Sequence, residues 1–506
     1  MESQQLSTIL LPLVITASTI LLLIVIDKLW FQRKTRGLNL PPGPWKLPII
    51  GSLHHLIGEL PHRRMRRLAE KYGPIFHLKL GEVDLVVIAS PEMAAETMKT
   101  HDMSLASRPQ FMGSRIIMYD AGDIVFAPYG KLWAQLRKIC TIELLTAKRV
   151  KHFKTLMQKQ GDSLVEKIRM ANGSPVNMTE MLLSVANNTI SQASFGMECA
   201  HQHKIFEAVK ETFKYTSGLD LVDLYPSFSK FLGEITGLRR HLENVHHVLD
   251  STLNDIIAEH EDKYARKHDD DADEDLVDVL LRLKRTGDLD ASVNMDNLKG
   301  VIVDLILGGT ETTSAIMEWT MAEMIMHPEV MRKAQSEVRN AFKGKTKIHE
   351  DDIANLPYLN MVLKESLRLR SPAPILVPRH CAETLELGGY TIPAGSRVLI
   401  NAWAIMRDPK YWNDAESFKP ERVQTDEQDF NPTRFQYMPY GGGRRICPGI
   451  NFGMTSIEVV LANLLYHFDW ELPGGRLPQE MDMEESMGLA LTRKNPLFLV
   501  ATPYKI

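Results

Sequence analysis

The chain has 506 residues, of which 44% are hydrophobic and 24% charged, and its 59 Lys and Arg against 63 Asp and Glu leave a formal charge of −4. That composition belongs to an ordinary globular protein and excludes a disordered, collagenous or multi-span membrane chain. The near-neutral balance gives no electrostatic case for nucleic acid, and four scattered cysteines without a CxxC exclude a disulfide scaffold and a zinc ribbon.

Leu6 to Ile26 carries no charge, and as a helix it spans about 31 Å, the depth of a bilayer core. Lys28, Arg33, Lys34 and Arg36 follow it and no Lys or Arg precedes it, so the positive-inside rule puts residues 1–5 in the lumen and everything after Asp27 in the cytosol. A cleaved signal peptide needs a basic start and a shorter apolar stretch, which Glu2 and this run do not supply. The triplets at Asn172, Asn177 and Asn187 are then incidental, because a cytosolic domain never meets the glycosylation machinery. Residues 27–45 form a basic stop-transfer and hinge ending in Pro41-Pro42-Gly43-Pro44; consecutive prolines favour a stiff extended spacer, and an ordinary proline-rich turn explains the four residues equally well. Residues 46–506 are expected to form one helix-dominated domain with a small β portion and no internal repeat.

Two hairpins are expected in that domain. Ile75–Leu80 and Val83–Ile88 flank Gly81-Glu82, and Leu385–Leu387 and Thr391–Ile400 flank Gly388-Gly389. Helical periodicity covers Lys151–Met170, Ile205–Tyr215, Leu238–Tyr264 and Leu276–Lys284. The acidic run Asp269–Asp275 is expected to be a solvated loop. Asp296 to His327 predicts one long helix closed by Pro328, about 48 Å in length. In its middle stand Gly308-Gly309-Thr310-Glu311-Thr312-Thr313. The glycines remove side chains so that something flat can approach the backbone, Thr312 can bond back to the preceding turn, and Glu311 puts a carboxylate in an apolar element. A buried central helix with a packing notch accounts for the same residues.

Near the carboxyl end, Tyr440-Gly441-Gly442-Gly443-Arg444-Arg445-Ile446-Cys447-Pro448-Gly449 precedes the apolar helical run Ile450–Phe468. A cysteine just before a helix start and beside cations is placed to become a thiolate. The alternatives are a buried structural cysteine and a nucleophile, the latter lacking any local histidine signature. A metal thiolate suits the glycines best, since they let backbone N–H groups approach the sulfur.

With these residues in view the chain resembles the cytochrome P450 haem-thiolate monooxygenases, whose loop is FxxGxRxCxG; Gly443, Arg445, Cys447 and Gly449 match, and Tyr440 replaces the Phe. Glu365-Ser366-Leu367-Arg368 resembles the family's ExxR, a spacing also met at Glu166–Arg169 and Glu329–Arg332, and Phe418-Lys419-Pro420-Glu421-Arg422 follows it. The helix notch is similar to (A/G)Gx(D/E)T(T/S), and Trp133-Ala134-Gln135-Leu136-Arg137 to WxxxR. Together with the anchor and hinge, the pattern looks like the membrane-anchored plant A-type members.

The resemblance implies a mainly α fold holding haem b (iron protoporphyrin IX), with Cys447 as axial ligand of the iron and Trp133, Arg137, Arg379 and Arg445 meeting the propionates. It implies that Glu365, Arg368 and Arg422 form a buried network behind the cysteine loop, and that Glu311 and Thr312 manage protons. It further implies electrons from NADPH through a separate NADPH–cytochrome reductase, a cytochrome b-type protein as an additional donor, an endoplasmic reticulum membrane location, and a hydrophobic small-molecule substrate, with terpenoids preferred to phenylpropanoids or alkaloids. Lys131, Lys138 and Arg444 are expected to form the basic docking face. By the same analogy the substrate pocket draws on Ser104–Asp123, Phe206–Leu249, Leu305–Gly309, Ala373–Val377 and Met487–Ala490. A haem-thiolate isomerase or dehydratase needing no oxygen, and a non-catalytic haem-binding membrane protein, are the rival functions; the Glu311–Thr312 pair argues against the former.

Overall fold

A 32-residue helix, α7 (Met295–Met326), runs through the centre and organises the rest. It starts in a reciprocal capping box, Asn297 N donating to Asn294 Oδ1 and Asn294 N to Asn297 Oδ1, both at 2.9 Å, which satisfies two amides left without partners at a helix start. It stops where Pro328 opens the next helix. It is apolar and long enough to cross a bilayer, yet most of it is buried inside the protein; it is a core helix. The computed structural model describes residues 37–196, 204–205, 207–208, 211, 215, 218–266, 274–345, 348, 356–424, 434–488 and 490–505. The expected anchor, Leu6–Ile26, lies outside them, as does most of the expected helix Ile205–Tyr215.

Around α7 stand α1 (Pro61–Tyr72), α2 (Lys131–Lys138), α3 (Ala147–Met170), α4 (Met178–Phe195), α5 (Leu238–Arg266), α6 (Leu276–Thr286), α8 (Pro328–Ala341), α9 (Pro357–Leu369) and α10 (Ile450–His467). Helix α4 packs along α7, and α3 against α10. One apolar cluster runs continuously from Ile75 to Ala501, and a smaller one, including Met65, Phe76, Val87 and Leu399, sits between α1 and the main sheet.

The β portion is small. β1 (Ile75–Leu80) and β2 (Val83–Ile88) form the expected hairpin, pairing Leu80 with Val83 across Gly81-Glu82. Gly81 has φ +59°, the left-handed region a tight hairpin turn needs. The second expected hairpin is corrected: β5 (Leu385–Leu387) pairs with β6 (Tyr390–Ile392), but Thr391–Ile400 is not one strand. Pro393 and Gly395 (φ +83°) break it, and β7 (Arg397–Ile400) leaves to pair in parallel with β2 and antiparallel with β4 (Arg379–His380). The acidic run is corrected at its described end. Glu274 accepts from Arg149 and Arg282, and buried Asp275 caps α6 through Asp278 N and faces His260 Nε2 at 3.0 Å. A helix amino terminus, which favours a carboxylate, holds that residue out of solvent.

Behind the cysteine loop, Glu365 and Arg368 on α9 are both 0% exposed. Arg368 Nε and Nη2 bind the two Glu365 oxygens at 2.8 and 2.9 Å, and its remaining donors reach the carbonyls of Met406, Ala415 and Ser417. Glu365 also accepts from Arg422 Nε at 2.9 Å and Lys419 N at 3.0 Å. Every N–H of the Arg368 guanidinium is thereby used, the condition under which a buried ion pair is tolerated. Glu166–Arg169, with the same spacing, lies at the surface, its side chains 59% and 42% exposed. Arg368→Ala is expected to destabilise the protein by about 3–5 kcal/mol in denaturant unfolding, whereas Glu166→Ala changes it by less than about 1 kcal/mol.

Candidate functional site

The loop before α10 is folded by its glycines. Gly441 and Gly443 have φ of +70° and +67°, and a Cβ at Gly443 would lie 2.5 Å from the Met98 carbonyl oxygen and 2.7 Å from Asp102 Oδ1. Only glycine meets both demands. Cys447 N donates to Tyr440 O at 3.0 Å, closing the loop, and Tyr437 OH donates to Lys364 O at 3.0 Å, tying it to α9 beside Glu365. The sulfur therefore sits on a backbone held from both sides.

The Cys447 sulfur is crowded by protein atoms, yet the residue keeps exposed surface. Burial pushes its thiol up, while the Gly449 N–H and the Arg137 guanidinium pull it down; the net direction is upward. This corrects the expectation that helix terminus and cations lower it: desolvation outweighs them. A sulfur so placed keeps its proton until a metal cation takes the proton's position, because coordination deprotonates a thiol outright.

Cations crowd one side of the loop. Arg137 Nη2 donates to Ile446 O at 2.5 Å, one residue before the cysteine. Arg445 reaches the carbonyls of Ala106, Ile124 and Ala127, lies 4.3 Å over the Trp133 ring, and shares Ile124 O with Trp133 Nε1. Arg379 binds Asp102 Oδ1 at 2.9 Å and Gly442 O at 2.9 Å. Arg108, which sequence reasoning read only as part of a pocket segment, is buried among the carbonyls of Val125, Val377 and Pro378. Burial, with the nearby Arg379 charge, brings Arg445 down to about 9; Arg108 is lowered by burial and by Arg445 and Arg379. Buried guanidinia that repel one another suit a ligand bearing carboxylates.

On α7 the two glycines behave differently. Gly308 is exposed although Val301–Leu307 before it are all buried, and a Cβ there would meet nothing within 4 Å. A Cβ at Gly309 would stand 2.8 Å from Ile190 Cγ1. Gly308 thus opens the notch, and Gly309 lets α4 pack. Thr312 Oγ1 donates back to Gly308 O, as its position suggested, and Glu311 is half-buried beside it. A Cβ at Gly453, on the first turn of α10, would lie 3.9 Å from Thr313 Oγ1, so the notch and the cysteine loop belong to packed neighbours. Sulfur, guanidinium cluster and open glycine together fit haem b: a thiolate donor, cations for two propionates, and room over the backbone.

The structure thus gathers Trp133, Arg137, Arg379, Arg445 and Cys447 at one site, sets Glu311 and Thr312 on the adjoining helix, and joins Glu365, Arg368 and Arg422 behind them. Asp102 and Asp304, unmarked by sequence reasoning, lie among these residues with Asp123, which the sequence placed only at the end of a pocket segment; the signal for Asp304 was the one noticed at Glu311, an acid inside an apolar helix.

The cytochrome P450 family model matches residues 41–500, and the chain belongs to that family. It is 46% identical to premnaspirodiene oxygenase of Hyoscyamus muticus, covering 94% of this chain and 95% of that one. It is 45% identical to 5-epiaristolochene 1,3-dihydroxylase of Nicotiana tabacum (94% and 96%) and 47% identical to desmethyl-deoxy-podophyllotoxin synthase of Sinopodophyllum hexandrum (96% and 96%). A zebra fish cytochrome P450 solved with progesterone shares the fold, with TM-score 0.75 at 24% identity over 88% of this chain and 100% of that one. The protein is accordingly a haem-thiolate monooxygenase, with haem as cofactor and NADPH as electron source through a reductase.

The glycines separate in stability. Gly309→Ala is expected to destabilise by about 1–3 kcal/mol through overpacking against Ile190, whereas Gly308→Ala is neutral or stabilising by up to about 1 kcal/mol, both read by urea unfolding.

Proposed function

We propose that this chain hydroxylates a hydrophobic plant-type specialised metabolite, a terpenoid in preference to a phenylpropanoid or alkaloid, with Cys447 as the thiolate that would hold the haem iron. The observation that carries the reading is a deeply placed but unsealed Cys447 between a guanidinium cluster and an open glycine notch. Bound haem supplies the activation of dioxygen and the transfer of one oxygen atom to a C–H bond. Arg379, Arg445, Arg137 and Trp133 would hold its carboxylates. The Gly449 N–H and Arg137 stabilise negative charge on the sulfur. Thr312, whose hydroxyl is anchored on the Gly308 carbonyl, and Glu311 hold and pass protons on the notch side, a general-acid role. The network of Glu365, Arg368 and Arg422 keeps the cysteine loop in place.

The terpenoid preference rests on two relatives, whose names specify premnaspirodiene and 5-epiaristolochene, both terpenoids; podophyllotoxin, in the third name, represents the phenylpropanoid alternative. With reductase, NADPH and ¹⁸O₂, product from a terpene hydrocarbon panel is expected to carry one ¹⁸O atom. Cys447→Ser is expected to abolish both turnover and the red-shifted Soret band of the reduced, carbon-monoxide-treated protein. Product without label overturns the monooxygenase reading, and turnover of phenylpropanoids alone overturns the substrate class.

We further propose single-pass anchorage through residues 6–26 with residues 46–506 cytosolic, in the endoplasmic reticulum membrane, and docking of the reductase on Lys138 and Arg444 with Lys131, which pairs with Asp290 at 3.1 Å. An apolar surface supports the membrane reading. Trp45, Ile49, Ile50 and Ile57 are exposed at the start of the described chain, as are Leu221, Phe228, Phe231 and Ile235. The two segments meet where Tyr225 OH donates to Ile49 O at 3.2 Å. Such a patch exceeds what scattered surface residues produce. In the chain lacking residues 1–36, the triple substitution Phe228→Ser, Phe231→Ser, Ile235→Ser is expected to weaken vesicle binding by roughly tenfold or more.

A further inference from the structure

The segment 122–127 lies along the amino-terminal half of α7 in successive steps. Asn297 Nδ2 donates to Gly122 O at 2.9 Å. One turn on, a Cβ at Gly300 would stand 3.2 Å from Asp123 Cβ, so Asp123 packs directly on the helix. One further turn on, Asp304 Oδ2 accepts from Ile124 N at 2.8 Å and Val125 N at 3.3 Å. Asp123 Oδ1 accepts from Phe126 N at 2.5 Å. Two oxygens remain, Asp123 Oδ2 and Asp304 Oδ1, both buried and without a hydrogen-bond partner among the described residues.

Two adjacent buried carboxyl groups, each with one spare oxygen, are satisfied together by one proton: the protonated acid donates and its neighbour accepts. With no proton, like charges face each other and both oxygens lack a donor. The charged and titratable groups facing the pair are Arg445 and Arg108 from the flanking loops and Cys140 beyond α2. Burial raises both carboxyl groups, Asp123 to about 7, and the charge of Asp123 raises Asp304 further.

We propose that Asp123 and Asp304 share a single proton and, as that pair, are positioning residues that fasten segment 122–127 to α7. The carbonyls this holds in place are those that orient the cation cluster. Ile124 O receives Trp133 Nε1 at 3.1 Å and Arg445 Nη1 at 3.0 Å, Ala127 O receives Arg445 Nη2, and Val125 O receives Arg108 Nε at 3.0 Å. The link from the pair to the cofactor rests on the reading that Arg445 and Trp133 hold the propionates; the shared proton itself does not.

The folded state keeps this proton at pH values where free carboxyls have lost theirs. Asp123 gives up its own proton near 7, and the one then shared stays on Asp304; its contribution to stability is full below about pH 4 and is lost only as pH rises above 7. Asparagine at either position replaces the protonated partner, since its amide donates to the remaining carboxylate and satisfies it without a shared proton. The purified full-length holoprotein is compared with Asp123→Asn, Asp304→Asn and the double variant, reading thermal midpoint and Soret absorbance from pH 6 to 9. The wild-type midpoint is expected to fall by about 2–3 °C more across this range than that of either single variant. Both single variants keep their haem at pH 9 better than wild type, and the double variant, with amide facing amide, lies below both singles at every pH. A single variant that follows the wild-type slope, or loses haem at pH 6, overturns the proposal. Were the haem reading wrong, the Soret band would be missing from all four proteins while the thermal series still decided the shared proton.

Discussion

A carboxylate without solvent must find a donor for every lone pair it exposes, and Glu365 does so with two guanidinia and a backbone amide. That single demand binds together α9, the segment from Met406 to Arg422 and, through Tyr437 and Lys364, the turn that ends in Cys447. Locally the cysteine is held by the bond from its own amide to Tyr440 O; the rest of the support comes from behind. Its position follows from charge satisfaction some distance behind it, so a rigid sulfur is obtained from an element that never touches the reacting atoms.

On the other side of the loop the electrostatics are reversed. Arg108 and Arg445 are satisfied largely by carbonyl oxygens, whose partial charges do not neutralise them, while Arg379 divides itself between the Asp102 carboxylate and the Gly442 carbonyl. The result is a pocket of positive potential inside the protein, poised for an anionic ligand that carries more than one carboxylate. The two sites differ in emphasis: a carboxylate whose every lone pair is satisfied where only rigidity is required, and guanidinia held mainly by carbonyls where something must bind.

The long helix and the first hairpin were legible because their signals are local. Pro328 closes α7, whose start the Asn294 cap sets at Met295, one residue before the expected Asp296, and Gly81-Glu82 leaves one possible register for β1 and β2. The end of the second hairpin was not legible, since the partner that draws β7 away lies in a distant part of the chain. The cysteine loop, the paired glycines and the Glu365–Arg368 spacing marked the site, but no sequence pattern told Gly308 from Gly309. Ile190 makes that distinction, and it belongs to another helix. Arg108 and Asp123, read only as part of a pocket segment, and Asp304 kept their roles hidden for the same reason: each stands out only through what tertiary packing places beside it.

The parallel register between β2 and β7 pairs Leu85 with Arg397 and Ile88 with Ile400, segments roughly 300 residues apart. At a translation speed of about 5–20 residues per second, the hairpin waits roughly 15–60 s on the ribosome before its third strand exists. During that interval the outer backbone edge of β2 is open to any other extended chain. Biosynthesis of this protein therefore includes an interval, set by topology, in which residues 83–88 present a strand edge before their partner has been made.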